Sequence, residues 1–430
     1  MYSSKFTFIA NSHSFDIEVS GKDEEETQKN KYCLLSPFIS SVDPSSGSIA
    51  VNYYQQNTAE LRIKIKELVE LIAPLDAKIH RLNDYFEKKL KDGEWFFFVT
   101  DQELTTQQVD FVLNELLSIG ATDEEKHRNQ ETHNLLQKIR SVYDIKAYGE
   151  QTKGFIGEPD KAKRICRYCR KSMPEVTFKK VAHTISEAFG NTRIKTNEEC
   201  DACNQLFGDT IEQDFLSIFD LPRLFFKIHG KSGIPHRFEG DNYIIERESD
   251  GNLKVSYKLK DGEELQETQD YLKKIMLTPH RCFPEQNIYK CLCKYAMGVL
   301  DADTLKHFER TRKWLIGECT ESTFPQVARF YHPDVVEHPH LMVYVRRSDA
   351  SKELPHVVVE LRIINMAFVY IVPFSDQDEI DFSLKENFDR YWGFFEMYSK
   401  IDGWQMSDCS SMVSRQPTVA LSFTQREQNK

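Results

Sequence analysis

Residues 166–215 read CRYCRKSMPEVTFKKVAHTISEAFGNTRIKTNEECDACNQLFGDTIEQDF. Two CxxC pairs punctuate this stretch, Cys166 with Cys169 and Cys200 with Cys203, separated by thirty residues. A CxxC knuckle turns two thiolates toward one ion, and two knuckles complete the tetrahedral four-sulfur shell of a structural Zn²⁺. The spacer is longer than in the simplest zinc ribbons, so it must hold structure of its own, and it has room for a β-hairpin. A closed four-thiolate shell leaves no position for water. Zinc here is expected to supply folding free energy to a small module, and any catalysis must come from the spacer.

Charge points to the same place. The chain has 430 residues and a net charge of −11, yet residues 161–195 carry ten Lys/Arg against two acids, Glu175 and Glu187. A basic island in an acidic chain is a candidate polyanion site. Net acidity argues against a protein that coats nucleic acid with its whole surface. The length suggests two to four domains, and 40% hydrophobic with 29% charged residues is ordinary for a soluble globular protein. The longest apolar stretch, Val357 to Phe374, is broken by Glu360, Arg362 and Asn365, and the N-terminus has no continuous apolar segment. A cytoplasmic chain with no membrane association is expected.

Working outward, 5–19 and 45–55 read as short strands, with the acidic run 22–31 breaking the pattern. Leu61, Ile63, Ile65, Leu68, Leu71 and Ile72 give an apolar helical face with some excess up to Pro74, and Leu75, Ile79, Leu82, Tyr85 and Phe86 continue at helical spacing beyond it. This kinked pair is expected to pack or to serve as a dimerisation arm. A strand over 94–100 and helices over 109–117 and 123–148 follow, then a linker over 148–163. Beyond the cysteine module, 225–230 and 237–265 read as short strands with a turn at Asp250-Gly251. A helix over 285–317 and three strands, 342–347, 356–363 and 367–374, precede a helix near 384–398. Cys291 and Cys293 sit two apart on a helix and share no face. His332, His338 and His340 form a local cluster with metal-ligating side chains, read here as a His-rich turn before a strand, with metal binding the alternative.

In the spacer, His183 follows the alternating basic strand FKKVA and precedes a Gly-Asn turn. The order CxxC, Ala-His-x-Ile, Gly-Asn, CxxC-Asn resembles the HNH endonucleases with a zinc-bracketed ββα-metal finger, over about 164–215. The resemblance implies that His183 is the general base, deprotonating a water for attack on a phosphodiester. It also implies that Asn204 sits on the following helix and ligates or orients a catalytic Mg²⁺ or Mn²⁺ distinct from the zinc. The family's middle Asn pins the loop that carries the base, and Asn191 and Asn197 both compete for that role. The residue before the base is commonly an acidic metal ligand in this family, but here it is Ala182. Glu187, Asp209 and Glu212 are the candidates to replace its oxygen. Arg167, Arg170, Lys171, Lys179, Lys180, Arg193 and Lys195 would contact phosphates, giving affinity without sequence information.

The expected architecture is a multidomain α+β chain. A mixed β/helical region over 1–150, for sensing or dimerisation, precedes an HNH finger over 155–220 with a four-cysteine zinc site. An α+β domain without an assigned role follows over 221–430. The expected activity is metal-dependent cleavage of DNA, with RNA the alternative substrate. A homodimer and a regulatory partner are the further partners expected. The rival reading, motivated by Ala182, is a non-catalytic zinc module that binds nucleic acid or regulates.

Overall fold

The aromatic run Trp95–Thr100 pairs with Tyr2–Ala10 at the centre of a four-stranded antiparallel sheet in the computed structural model of the chain. Ser14–Gly21 forms one edge and Tyr54–Gln56 the other. The residues described are 2–42, 49–74, 76–228, 237–248, 251–258, 273–416 and 419–423. Period-two alternation sends Phe6, Phe8, Phe96 and Phe98 into one core with residues of the helices Glu24–Leu35 and Ala59–Ile72. Ile9 and Phe97 join the helix Thr106–Ser118 in a second cluster.

The acidic run 22–31, expected as a break, is mostly helix. Asp23 caps it by accepting the N–H of Glu26, and Glu24, Glu25 and Glu26 fill a first turn where the helix dipole favours negative charge. The helical pair kinks after Ile72 as expected, resuming at Ala77. The helix expected over 123–148 stops at Arg140, because Tyr143–Tyr148 is captured as a strand by Leu341–Arg346. Contacts divide the chain into two units, 1–137 and 138–430.

The second unit is built on two long antiparallel strands, Val327–Arg346 and Val357–Ile371, with Gln405–Ser407 and Tyr143–Tyr148 pairing to the first. Two of the three strands expected here, 356–363 and 367–374, therefore belong to one. Its near-continuous apolar run is buried on both faces. Val357, Val359, Leu361 and Ile363 share a core with the helix Glu285–Met297. Val358, Val369 and Ile371 share another with the helices Lys385–Phe394 and Glu396–Ser399. The segment around His332 and His338, expected as a turn, lies inside the first long strand where its register shifts.

Of the segment 225–230, residues 225–228 are not a strand, Phe225 ending the helix Asp220–Phe225, and residues 229–230 lie outside the described residues. A three-stranded meander follows as expected, over Phe238–Gly240, Tyr243–Arg247 and Leu253–Tyr257; Asp250 of its expected turn is outside the described residues. The helix Glu285–Met297 is buried nearly all round. One apolar cluster runs from Tyr168, Ile185, Phe189 and Phe207 of the cysteine module through this helix to the long strands. Module and sheet thus share one core. Among the described residues no helix is long and apolar enough to cross a membrane.

Candidate metal centre and active-site cleft

The two knuckles bring the sulfurs of Cys166, Cys169, Cys200 and Cys203 within 4.8 Å of one another, and none is in a disulfide. Cys200 caps the helix Asp201–Asp209, its sulfur accepting the N–H of Cys203, and its own N–H points at Cys166 Sγ. The Cys169 and Cys200 sulfurs are 3.7 Å apart. A tetrahedron with metal–sulfur bonds of about 2.3 Å has edges of about 3.8 Å, so the donor set fits zinc in chemistry and size. Within this sulfur cluster the mutual hydrogen bonds pull the Cys200 thiol down and push the Cys203 thiol up.

Between the knuckles the chain makes a minimal hairpin. Ala182–His183 pairs with Lys195–Thr196, placing Lys195 directly across from His183. Asp201, in the first turn of the helix, anchors the approach to this hairpin by accepting the N–H groups of Lys179 and Lys180 and the hydroxyl of Thr177. Burial pushes the Asp201 carboxyl up, but these hydrogen bonds outweigh it and hold the group below its usual range.

Asn191 is buried inside the loop. Its amide donates to the carbonyls of Ile185 (2.6 Å) and Ile194 (3.0 Å), and its oxygen accepts the N–H groups of Arg193 (3.2 Å) and Ile194 (2.9 Å). Asn197 lies elsewhere, lining a separate depression with Phe155, Lys161 and Lys179. Gly190 has φ +80°, and a Cβ there would fall 2.6 Å from the carbonyl oxygen of Glu337 on the long strand. The His338 ring Nδ1 lies 2.9 Å from the Gly190 carbonyl. Of the expected His cluster, His338 therefore buttresses the loop.

His183, Glu187 and Asn204 line one open cleft of about 770 Å³, together with Asp209 and Glu212. His183 Nε2 is 3.3 Å from Glu187 Oε1. Ala182 is 2% exposed, so its position faces the core and not the cleft. Among the described residues the four cysteines are the only set of three or more His, Cys, Asp and Glu with ligand atoms close enough to share an ion. The cleft offers instead one imidazole (His183), three amides (Asn204, Gln205, Gln213) and three carboxylates (Glu187, Asp209, Glu212), donor types suited to a hard divalent cation.

The basic residues divide. Lys179 and Lys180 are exposed beside the cleft, Lys180 lining it. Arg193 is exposed, and Lys195 packs its ammonium 5.8 Å from the Phe155 ring centroid. Arg170, paired with Glu309 at 3.8 Å, and Lys171 sit on the first knuckle. Arg167 corrects the expectation: it is 3% exposed, donates to the carbonyls of Met297 and Leu300, and pairs with Glu198 at 2.6 Å. Its guanidinium is spent inside the fold and cannot reach a phosphate.

The model of the HNH endonuclease family matches residues 166–220, which span both knuckles, the hairpin and the helix that carries Asn204. This segment is an HNH endonuclease module. It gives the chain a metal-dependent HNH-type nuclease function. No curated protein and no solved structure matches the chain.

Two residues that shape this site were not read from the sequence. The role of Asp201 had a local signal, an acid at a helix start. The other is Lys294, whose signal was an isolated charge inside the apolar run CLCKYAM.

Proposed function

We propose that the HNH module hydrolyses phosphodiester bonds of DNA with His183 as general base. The observation that carries this is the convergence of His183, from the hairpin, and Asn204, from the helix, on one open cleft. His183, its ring 3.3 Å from the Glu187 carboxylate, is the base that takes the proton of the attacking water. Asn191 holds the loop that fixes this ring. Asn204, with carboxylate oxygens of Glu187 and Asp209, would hold Mg²⁺ or Mn²⁺. Such an ion supplies positive charge against the scissile phosphate and the leaving oxygen. The four cysteines hold a structural zinc that staples the hairpin to the helix. Lys179, Lys180, Arg193 and Lys195 contact the DNA backbone, and Arg170 and Lys171 extend that surface.

Supercoiled-plasmid cleavage tests the reading. Wild type is expected to nick DNA with Mg²⁺ or Mn²⁺ and to stop in EDTA, and His183→Ala is expected to lose about 10²-fold or more of the rate. Equal cleavage by both proteins would place the chemistry elsewhere. DNA binding without cleavage under any cation would make the module a binder.

A further inference from the structure

We infer that Lys294, outside the HNH module on the buried helix Glu285–Met297, is a positioning residue for the His183 base. The inference rests on the reading of His183 given above. The Lys294 side chain is 1% exposed, and its ammonium donates to the carbonyls of His183 (3.1 Å) and Thr184 (3.2 Å) and to Glu212 Oε1 (2.8 Å). Glu199 Oε2, next to the knuckle residue Cys200, lies 3.4 Å away.

The two carbonyls are the informative contacts. In an extended strand, successive carbonyls point to opposite sides, so neighbours cannot both reach one donor. Here they converge on a single ammonium, so the chain bends where His183 leaves its two-residue ladder. Lys294 holds that bend and hence the direction in which the imidazole enters the cleft. The same ammonium ties down Glu212 at the cleft wall. On this side the Thr184 hydroxyl has no hydrogen-bond partner among the described residues, and the Lys294 ammonium is the cation paired with Glu199.

The contact also explains why the module has no core of its own. Tyr168, beside the first knuckle, donates its hydroxyl to the Lys294 carbonyl (3.0 Å). Arg167 donates to the carbonyl of Met297, one turn on (2.6 Å). The first knuckle and the bend after His183 are therefore both referenced to one helix of the C-terminal segment. A base displaced by a fraction of an ångström loses proton-transfer rate while the DNA-binding surface stays intact.

The test uses the full chain. Lys294→Met leaves Glu199 and Glu212 facing a buried apolar group and risks misfolding. The decisive variant is therefore the charge-balanced pair Lys294→Met with Glu199→Gln, and Lys290→Met on the same helix is the control. DNA affinity is measured in EDTA, and single-turnover cleavage at saturating Mg²⁺. The paired variant is expected to bind DNA within about twofold of wild type and to cleave at least tenfold more slowly, and Lys290→Met to match wild type in both. Cleavage by the paired variant within twofold of wild type would overturn the inference alone, reducing Lys294 to a core ion pair. A parallel loss of binding and cleavage would also overturn it, since a merely structural role predicts that. A wild type inert with every cation would remove the reading of His183 and this inference together.

Discussion

Replacing Asn191 with Ala removes four hydrogen bonds from a buried loop. Their loss is unequal. The Ile194 carbonyl keeps the N–H of Thr184, and Arg193 is exposed enough to find water. The Ile185 carbonyl and the Ile194 N–H are buried and lose the partner that Asn191 provides. An unsatisfied buried group costs about 1–3 kcal/mol, so the pair amounts to about 4 kcal/mol. That is a large share of the roughly 5–15 kcal/mol that stabilises a domain. Asn197, half-buried and away from the cleft, should cost under about 1 kcal/mol when replaced by Ala. Denaturant unfolding of the two variants reads the difference directly, and plasmid nicking at a temperature where both remain folded reads the consequence for the base. The expected result is a large stability loss and near-complete loss of nicking for Asn191→Ala, with Asn197→Ala close to wild type. A variant at 191 that unfolds within 1 kcal/mol of wild type, or a variant at 197 that is the more damaging, would refute the assignment of the loop-pinning role.

Three further outcomes follow from the same contacts. Ala182→Asp should destabilise the module and slow nicking, although it restores the family's usual acid, because position 182 faces the core and would bury an unpaired carboxylate; faster nicking would show that the metal shell lacks an oxygen from that side. Lys179→Ala and Lys180→Ala should each weaken DNA binding and lower the salt slope by about one, whereas Arg167→Ala should show its main effect in thermal unfolding. In the C-terminal segment, burial and then the charges of Arg346 and His307 push His356 down to about 4, and its ring stacks on Phe308. A depressed base contributes stability that is present above its unfolded value near 6.5 and is lost as pH falls toward about 4, at up to about 1.4 kcal/mol per pH unit. His356→Gln should flatten that slope in denaturant titrations at pH 4–7, and an unchanged slope would assign it to other groups.

The local signals in this chain were readable because they depend on short sequence distances. Two CxxC pairs fix a four-sulfur cage through knuckle geometry. His183, the Gly190-Asn191 turn and Asn204 follow from a motif of fixed spacing. Helices and strands with strong periodicity, such as Ala59–Ile72 and Trp95–Thr100, also emerged close to their observed limits. Errors gathered where pairing with a distant segment overrode local preference. Tyr143–Tyr148 became a strand because Leu341–Arg346 offered it an edge, and two apparent strands fused into Val357–Ile371 because helices cover both faces.

The site divides along the same line. Sequence alone named the four cysteines that converge and the candidates His183 and Asn204 that meet in one cleft, since each belongs to a contiguous motif within 166–215. Burial and long-range hydrogen bonding decided the rest. They separate Asn191, enclosed in the loop, from Asn197, and they remove Arg167 from the exposed basic surface. They also bring Lys294, more than a hundred residues downstream, to the carbonyl of His183. A motif encodes which groups are present, but the direction in which each points is set by the core against which the motif packs. Here that core belongs to the C-terminal helix and sheet.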